Sequence, residues 1–564
     1  MHRLVRRLVA PWLPLAAFAL LGGPPAHSST PEDDVDMRFR PPGEAVATER
    51  ADAGSTADHS KFESLQGPFA SGPQVTEACL TCHTEAAGQF MESLHWRWEY
   101  IHPATGQRLG KRHLINNFCT NARSNEGMCA QCHASYGWQE EDFEPSGLDW
   151  EAQIENGDPA RVDCLVCHDR TGSYYKLPPT EGNEACAVMF EGKAEIDLAK
   201  VAQSVDRPGR ENCGACHFYG GGGDGVKHGD LDSSLVEPPR SLDVHMAADG
   251  LDFPCTECHV SDRHSWAGSR YNVTARDVEG TGLPGLRRRV ATCESCHGLA
   301  PHPLDDVAGM KLNDHVDRVA CQSCHIPTIA RGGVATKVDW DWRTAGKTRD
   351  GAGYMLKAYT QGDGTHRATY KSIKGSFEYR EDFVPHYAWF DGQMHYTTID
   401  TVFDPAEAPV AINHFDGSAD DPDARIWPFK RMHTVQPYDA GRNTLVYMHL
   451  WGDDQAAFWG NYAFGPAIAR GMADNGIPYS GEYGFIETYS YWPITHMVAP
   501  KEDAVACAGC HARDGRLAGV TGFYLPGRGD RPWVDWLGLL LVGGTLLGVL
   551  GHALVRLLAA RRGV

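Results

Sequence analysis

Apolar positions are concentrated in two uninterrupted runs, one near each end of the chain. The run at Leu8–Leu21 follows Arg3, Arg6 and Arg7 and leads into a short stretch of small residues. A positively charged start, a short apolar middle and a small-residue exit are typical of a secretory signal. We therefore predict that residues 1–28 are a signal peptide and that the protein is exported.

The second run, Trp536–Val555, contains 20 residues and no charge. Because a helix rises about 1.5 Å per residue, this run spans about 30 Å, the thickness of a bilayer core. We predict a transmembrane helix at residues 536–555 that anchors an exported body in the inner (cytoplasmic) membrane. A flexible tether at 526–535 would precede it, and a cytoplasmic tail at 556–564 would follow it.

The chain between the two runs changes character along its length. Residues 29–74 are polar, acidic and rich in Pro, Gly and Ser, which predicts a linker. Residues 331–506 are dense in Trp, Tyr, Phe and Gly, with clusters such as Tyr387–Phe390 and Tyr489–Trp492. We interpret this aromatic-rich region as a layer that covers the rest of the body. Such a layer can also form the wall of a substrate cavity.

The cysteines add the most specific chemistry, because Cys-x-x-Cys-His occurs eight times. Two thiols three positions apart can bond to the two vinyl groups of one porphyrin, and the adjacent His can bind its iron. One copy would also suit a zinc site or a redox pair, but eight complete copies predict eight covalently bound haem c groups, each with its iron. The copies are Cys79/Cys82/His83, Cys129/Cys132/His133, Cys164/Cys167/His168, Cys213/Cys216/His217, Cys255/Cys258/His259, Cys293/Cys296/His297, Cys321/Cys324/His325 and Cys507/Cys510/His511.

The spacing of these motifs predicts the fold class. Seven of them lie between Cys79 and His325, and segments of about 35 residues cannot each bury an ordinary apolar core. The haems must supply much of the interior, so the haem-free protein should be close to unfolded there. We predict a mostly α fold with irregular loops around a stack of eight haems. Residues 75–330 would hold haems 1–7, and residues 507–525 would hold haem 8.

The net charge limits the kinds of molecule that the protein can bind. The formal net charge is −21, which argues against nucleic acid, since that ligand requires basic surfaces. It favours basic redox partners or small substrates.

The motifs use 16 of the 18 cysteines and leave Cys119 and Cys186. These two can form a disulfide in an oxidising compartment, or Cys119 can be a free thiol near a haem, and the sequence leaves both open.

Haems that only transfer electrons need a second axial ligand besides the motif His. The chain has 27 His; we place His2, His27, His59 and His552 outside the haem body, and expect His552 to be solvated or partner-facing rather than a haem b ligand. Short distances in sequence to a motif favour six distal ligands, and His102, His113 and His228 stay undecided. The six are His95, His245, His264, His302, His315 and His496.

A glycine run after the fourth motif carries a different signal. Residues Phe218–Asp230 contain four consecutive glycines and then Lys227, but they lack the Gly-Lys-Ser/Thr ending of a phosphate loop. Glycine allows a backbone to approach a flat cofactor closely. A lysine amine that loses its proton on burial can bind a metal. An ordinary surface lysine is the alternative.

Five stretches of the chain match one family pattern in both wording and order: Leu114–Cys119, Lys227–Asp230, Asn313–His315, His325–Pro327 and Ile494–Pro500. Together they resemble the octahaem tetrathionate reductase family of multihaem cytochromes. The resemblance implies a catalytic haem at Cys129/Cys132 whose iron is bound by Lys227 instead of the motif His, with an open opposite face near a reactive Cys119. Cys186 and the carboxyl-terminal apolar run depart from the family pattern.

These observations predict a membrane-anchored oxidoreductase. It would reduce a small sulfur or nitrogen compound (tetrathionate, nitrite or hydroxylamine) at the lysine-ligated haem. Seven bis-His haems, with His83, His168, His217, His259, His297, His325 and His511 as motif ligands, would relay electrons from a quinol-linked cytochrome b or another redox partner. Oxidation of hydroxylamine-like substrates at the same site, and a conduit without a substrate, are the alternatives. Direction of electron flow and oligomeric state stay open.

Overall fold

The computed structural model describes residues 56–115, 122–125, 136, 154–155, 157–174, 196–282, 289–452 and 454–561. The predicted signal peptide, much of the predicted linker, the second Cys-x-x-Cys-His motif (Cys129, Cys132 and His133), Cys119 and Cys186 lie outside these residues. The helices of the described parts are Gly72–Leu80, Ala86–Met91, Leu94–Arg97, Leu165–His168, Leu198–Gln203, Arg210–His217, Cys255–Cys258, Glu294–His297, Val307–Val316, Gln322–His325, Phe458–Asn461, Phe464–Asp474, Cys507–Cys510 and Pro532–Arg561. Short 3₁₀ turns lie at His59–Lys61, Glu63–Leu65, Pro159–Arg161, Ser233–Leu235, Trp342–Thr344, Pro405–Glu407 and Lys501–Asp503.

Each described Cys-x-x-Cys-His motif folds as about one turn of helix or the end of a helix. The backbone N–H of the motif His donates to the carbonyl oxygen of the first Cys, for example at 2.9 Å from His83 to Cys79 and at 2.8 Å from His297 to Cys293. Since residues three and four apart share a helix face, this turn presents both thiols and the imidazole to one side. The motif sequence therefore builds its local structure by itself.

The strands are concentrated after residue 335. In chain order they are β1 Tyr100–Ile101, β2 Arg108–Leu109, β3 Ser261–Asp262, β4 Ser265–Trp266, β5 Thr336–Asp341, β6 Thr348–Arg349, β7 Ala352–Gly353, β8 Met355–Leu356, β9 Tyr359–Thr360, β10 His366–Arg367, β11 Tyr370–Lys371, β12 Gly375–Arg380, β13 His386–Phe390, β14 His395–Tyr396, β15 Val410–Ala411, β16 Asn413–His414, β17 Arg425–Asp439, β18 Thr444–Leu445 and β19 Tyr483–Pro493.

One mixed sheet of nine strands joins most of this region. Its order is β15-β19-β17-β5-β12-β11-β8, with β13 and β18 also pairing with β17. β17 pairs antiparallel with β19 from Phe429↔Pro493 to Asp439↔Tyr483 and parallel with β5 at His433↔Asp339. The expectation of a mostly α fold is not confirmed, because residues 331–506, predicted only as a cover, are built on this sheet.

The sheet has an ordinary side-chain core. Along β19 the buried residues alternate at Ile486, Thr488, Ser490 and Trp492, as expected for a strand with one covered face. β17 is buried along nearly its whole length, as expected for a central strand covered on both faces. Aromatic side chains fill the space between; the Phe415 and Phe429 rings, for instance, stack at 4.5 Å.

The last helix, Pro532–Arg561, is 30 residues long, and its most apolar part is exposed in the structure. It includes the predicted transmembrane segment 536–555 and extends it at both ends. By length and composition it is able to cross a membrane.

The chain before this helix was predicted to be a flexible tether, but it is docked onto the preceding segment. Arg528 donates to the carbonyl oxygens of Leu517, Val520 and Phe523 and contacts Asp530. The Tyr524 hydroxyl donates to Asp535 at 2.5 Å, which joins the first turn of the helix to the segment after the eighth motif.

Candidate haem and substrate site

A cavity of about 3230 Å³ is lined by five complete motifs and by Cys167 of the third motif. Its lining is mostly apolar, and it includes the cysteines and histidines of the motifs that begin at Cys213, Cys255, Cys293, Cys321 and Cys507. Flat, apolar groups bonded to these cysteines would lie inside it. The side chains of Leu304 and of Leu312, the latter on the helix Val307–Val316, are exposed in the protein alone and line this cavity, so that bound haem would cover them.

The first motif departs from this enclosed arrangement. Cys82, predicted as an attachment cysteine, is exposed in the structure and lines neither described cavity; its sulfur accepts a hydrogen bond from Oγ1 of Thr81 at 3.8 Å. Cys258 and Cys507 are also exposed, although both line the large cavity. A porphyrin bonded to such a thiol would itself cover the sulfur. Haem attachment at Cys82 stays a prediction, and the haem would lie on an open surface instead of in a closed pocket.

The second motif cannot be compared with the others in this way. His133, predicted as part of the haem-binding motif, lies outside the described residues together with Cys129 and Cys132. The replacement of His133 by Lys227 as iron ligand therefore stays a prediction.

Six motif histidines face a second histidine at a nearly constant distance. A metal ion held between two imidazole nitrogens, each at about 2.0–2.1 Å, places the ring centroids about 6 Å apart. The ring centroids of the observed pairs lie 6.0–6.4 Å apart: His59–His83, His95–His217, His245–His297, His259–His496, His302–His325 and His315–His511. These residues therefore fit haem iron with two axial imidazoles.

The sixth predicted distal histidine, His264, is related to the motif histidines only through its charge. Burial lowers the pKa of His264, and the charges of His168 and His83 lower it further. Five of the six predicted distal histidines therefore lie at ring distance from a motif histidine, and the binding of all six to iron stays a prediction.

The His59–His83 pair is the one that sequence reasoning missed. Because His59 lies in a polar segment before the first motif, it was placed outside the haem body. In the structure Asp58 caps the 3₁₀ turn His59–Lys61, and the ring of His59 stacks against that of His83 with an interplanar angle of 23°. Its position 20 residues before Cys79 resembles that of ordinary surface histidines, so no local signal could have found it.

Backbone carbonyls orient several of the paired imidazoles. A carbonyl oxygen can only accept, so Nδ1 of the imidazole is the donor and Nε2 is left for a metal. His168 donates in this way to Asp206 at 2.8 Å, His259 to Ala267 at 2.8 Å and His511 to Pro526 at 3.1 Å. Burial, followed by His95 and His259, lowers the pKa of His217 to about 3. The neutral imidazole, which is the metal-binding form, is thereby favoured.

Neighbouring motifs contact one another through their first cysteines. The side chains of Cys79 and Cys164 lie within hydrogen-bond reach of each other. The same holds for Cys255 and Cys213 and for Cys321 and Cys293. The attachment points therefore lie in adjacent pairs, which brings the groups they hold close to one another.

Lys227 lies where the cavity meets the sheet. It is buried, and its Nζ lies 4.9 Å from the centre of the Trp492 ring. The glycine run allows a close turn here: Gly222 has φ +81°, and a Cβ at Gly221 would lie 2.8 Å from the Val226 side chain. Lys227 thus lines both the large cavity and a second cavity of about 20 Å³.

A second buried lysine fixes the backbone of this segment. Nζ of Lys430, on β17, donates to the carbonyl oxygens of Val226 and Lys227 at 2.8 Å each and to Oγ1 of Thr336 at 2.5 Å. Burial lowers the pKa of Lys430 well below its usual value. Sequence reasoning did not find Lys430, because its only local signal is a lysine inside an apolar strand.

The small cavity also has an arginine in its wall. Arg270 stacks on Tyr271 and Trp492, with Cζ at 4.8 Å and 4.7 Å from the ring centres, and its Nη2 donates to the Tyr271 hydroxyl at 3.0 Å. The neighbouring His228 has its pKa lowered by burial, and then by Lys227 and Arg270. His228 is therefore neutral.

Most histidines left undecided or not favoured by the sequence have other partners. His113 contacts Glu99, His433 contacts Asp339 at 2.5 Å, and His449 contacts Asp454 at 2.7 Å. Nδ1 of His102 accepts from the backbone of Ala104 and Thr105. None of these lies beside a described motif histidine.

Comparison with known proteins gives the family. The crystal structure of octahaem cytochrome c from Shewanella oneidensis is 36% identical to this chain, with a TM-score of 0.67, and the match covers 84% of this chain and 98% of that one. The chain belongs to the octahaem cytochromes c. The resemblance drawn from the motifs, to the octahaem tetrathionate reductase family, is thereby confirmed, and the octahaem cytochrome carries covalently bound haem c.

Two further matches agree. The family described as bacterial cytochrome c matches residues 337–514 of the octahaem cytochrome. An uncharacterised protein of Archaeoglobus fulgidus is 25% identical over 288 residues, which are 43% of the octahaem cytochrome and 92% of that protein. The function of the octahaem cytochrome is therefore electron transfer and redox chemistry on haem.

Proposed function

We propose that this protein is a membrane-anchored, extracytoplasmic oxidoreductase that reduces small S–S or N–O compounds such as tetrathionate, nitrite or hydroxylamine. Substrate would bind at the haem attached to Cys129 and Cys132, whose iron Lys227 ligates. Haem iron supplies one-electron redox changes and a coordination position for the substrate. Seven haems with two imidazole ligands would relay electrons, and a quinol-linked cytochrome b or another redox partner would supply them.

The observation that carries this proposal is the distribution of second ligands. Six of the seven described motif histidines face another histidine at ring distances of 6.0–6.4 Å, and the charge of the seventh, His168, acts on the predicted distal ligand His264. The remaining attachment site is the one at Cys129 and Cys132. Lys227 is buried and lines the haem cavity, next to neutral His228.

The surroundings of Lys227 suit a metal-binding amine. A lysine must lose its proton before it binds iron, and burial among cations favours that loss. Arg270 shares the Trp492 ring with Lys227, while Lys430 holds the Lys227 carbonyl in place. Oxidation of hydroxylamine-like substrates would use the same site, whereas a conduit without a substrate would need all eight irons to carry two protein ligands.

Low-temperature EPR of the purified holoprotein, with Lys227→Met, tests the proposal. We expect seven low-spin bis-imidazole irons in both proteins, and one further iron that binds cyanide and whose spectrum changes in the variant. Lys337→Met is the matched control, since Lys337 is also buried and lies over a tryptophan, with Nζ 4.1 Å from the Trp340 ring centre. Eight low-spin irons, none of which binds cyanide, would contradict the proposal and favour the conduit without a substrate.

A further inference from the structure

The two imidazoles at the fifth motif differ in what their Nδ1 atoms contact. The rings of His259 and His496 lie 6.2 Å apart, and both are predicted to bind the iron of the haem at this motif, haem 5. Nδ1 of His259 donates to the carbonyl oxygen of Ala267 at 2.8 Å. Nδ1 of His496 instead lies 3.2 Å from Oδ2 of Asp230. One of the two imidazoles therefore has a carboxylate behind it.

The backbone fixes the position of this carboxylate. Oδ2 of Asp230 also accepts from the backbone N–H groups of Thr495 at 2.7 Å and of His496 at 3.0 Å. Asp230 is only 1% exposed, and its Oδ1 is buried without a hydrogen-bond partner among the described residues. Because charges interact more strongly where water is excluded, the carboxylate acts on the imidazole of His496 with little screening.

A second oxygen lies within reach of the same imidazole nitrogen. Oγ1 of Thr495 is 3.2 Å from Nδ1 of His496, as far away as Oδ2 of Asp230. A hydrogen bond to an ionised acceptor is about twice as strong as one between neutral groups. The carboxylate of Asp230 is therefore the main acceptor of the Nδ1 proton.

Other imidazoles predicted to bind iron meet neutral oxygens instead. At His245 a carboxylate is close, but Oδ1 of Asp243 lies 3.9 Å from Nδ1, beyond hydrogen-bond reach. Haem 5 therefore differs from these haems in the charge behind one of its ligands. The neutral contacts are His168 with the Asp206 carbonyl, His511 with the Pro526 carbonyl, His315 with the Lys311 carbonyl, His302 with the Asn313 amide oxygen and His264 with the Gln89 amide oxygen.

We propose that Asp230 lowers the reduction potential of haem 5 below the potentials of the haems whose imidazoles meet neutral oxygens. Ferric iron carries one more positive charge than ferrous iron, so a ligand made more basic by a carboxylate stabilises the ferric form. An electron that reaches haem 5 from one of those haems would therefore meet an uphill step. Asp230 is a positioning residue here, because it acts through His496. The inference goes beyond the proposed function and does not depend on Lys227 as an iron ligand.

A redox titration of the holoprotein followed by low-temperature EPR, with Asp230→Asn, tests the inference. The low-spin signal whose g-values change in the variant belongs to haem 5. We expect its midpoint potential to rise by about 59 mV or more, which is about tenfold in a one-electron equilibrium, because a hydrogen bond to a charged group is lost. Asp243→Asn is the matched control and should leave that signal unchanged. Asp243 is also buried and accepts from the backbone N–H groups of His245 and Met246, but it lies too far from Nδ1 of His245 to accept from it.

Two results would overturn the inference. One is a folded Asp230→Asn with unchanged g-values and midpoints. The other is an equal rise of the same midpoint in Asp243→Asn, because buried charge alone would then account for it. If Asp230→Asn does not fold, Thr495→Val replaces it: no midpoint should rise, and a rise would show that Thr495 is the main acceptor, which would also overturn the inference. Lack of a cyanide-binding iron would contradict the proposed function and leave these expectations unchanged.

Discussion

Residues 75–330 and residues 331–506 solve the problem of a stable interior in opposite ways. In the first part the described helices are of ten residues or fewer, and the motifs at Cys213, Cys255, Cys293 and Cys321 line a large cavity. The second has a nine-stranded sheet with tightly packed aromatic side chains such as Trp340, Trp342 and Phe429. Side chains alone complete the second core, whereas the first is complete only with its cofactors. Stability should therefore depend on haem in one part much more than in the other.

Production without haem attachment should give the largest effect. We expect the haem-free protein to lose protection from hydrogen exchange throughout 75–330, because helices this short are not stable without packing. Amides of β17 and β19 should keep part of theirs, since these strands pair over eleven residues. Exchange measured peptide by peptide would show this. Uniform loss across both parts would mean that the sheet also depends on haem.

A pair of truncations sharpens the contrast. Phe429→Ala, in the sheet core, should cost about 3–5 kcal/mol whether or not haem is present. Leu312→Ala, on a side chain that is exposed in the protein alone and lines the haem cavity, should cost about 1–2 kcal/mol in the holoprotein and nothing measurable without haem. Hydrogen-exchange free energies of both variants would test this. Equal costs for Leu312→Ala in the two forms would contradict the cofactor-built core.

The smallest expected effect is a pH dependence within the sheet region. Burial, followed by Lys374 and Lys357, lowers the pKa of Lys371 from 10.5 to about 8. Between these values the folded state releases a proton that the unfolded state keeps, so stability should rise with pH from about 8 to 10.5. Lys371→Met should flatten this rise in denaturant midpoints. An unchanged slope would show that Lys371 titrates normally when folded.

The sequence could predict the features that depend on short motifs, but not those that depend on tertiary packing. Each motif carries its chemistry within five residues, so the attachment sites and the family could be predicted from local pattern. The six distal histidines were predicted because each lies near a motif in sequence, but which motif histidine each one faces, such as His217 for His95, depends on the tertiary fold. His59 was missed for the same reason, and the exposure of Cys82 likewise depends on how the first motif packs.

The sheet was missed because its signals conflict. β17 contains Pro428, Pro437 and Lys430, residues that ordinarily argue against a central strand. Lys430 is accommodated in the buried strand because its Nζ donates to backbone carbonyl oxygens of the glycine-rich segment instead of to water. Lys430 therefore interrupts the apolar pattern of β17 and at the same time holds the backbone at Lys227. The sequence shows the first of these and not the second.

The docked Arg528 has a mechanical consequence. It binds the chain beyond the eighth motif through three backbone carbonyl oxygens, and the Tyr524–Asp535 hydrogen bond joins the same chain to the start of the carboxyl-terminal helix. With that helix inserted in a lipid bilayer, the imidazole of His511 would keep a constant height above the lipid headgroups, and tilting of the helix would swing the whole body as a lever. A long, flexible linker would instead allow the distance between the body and the membrane to vary.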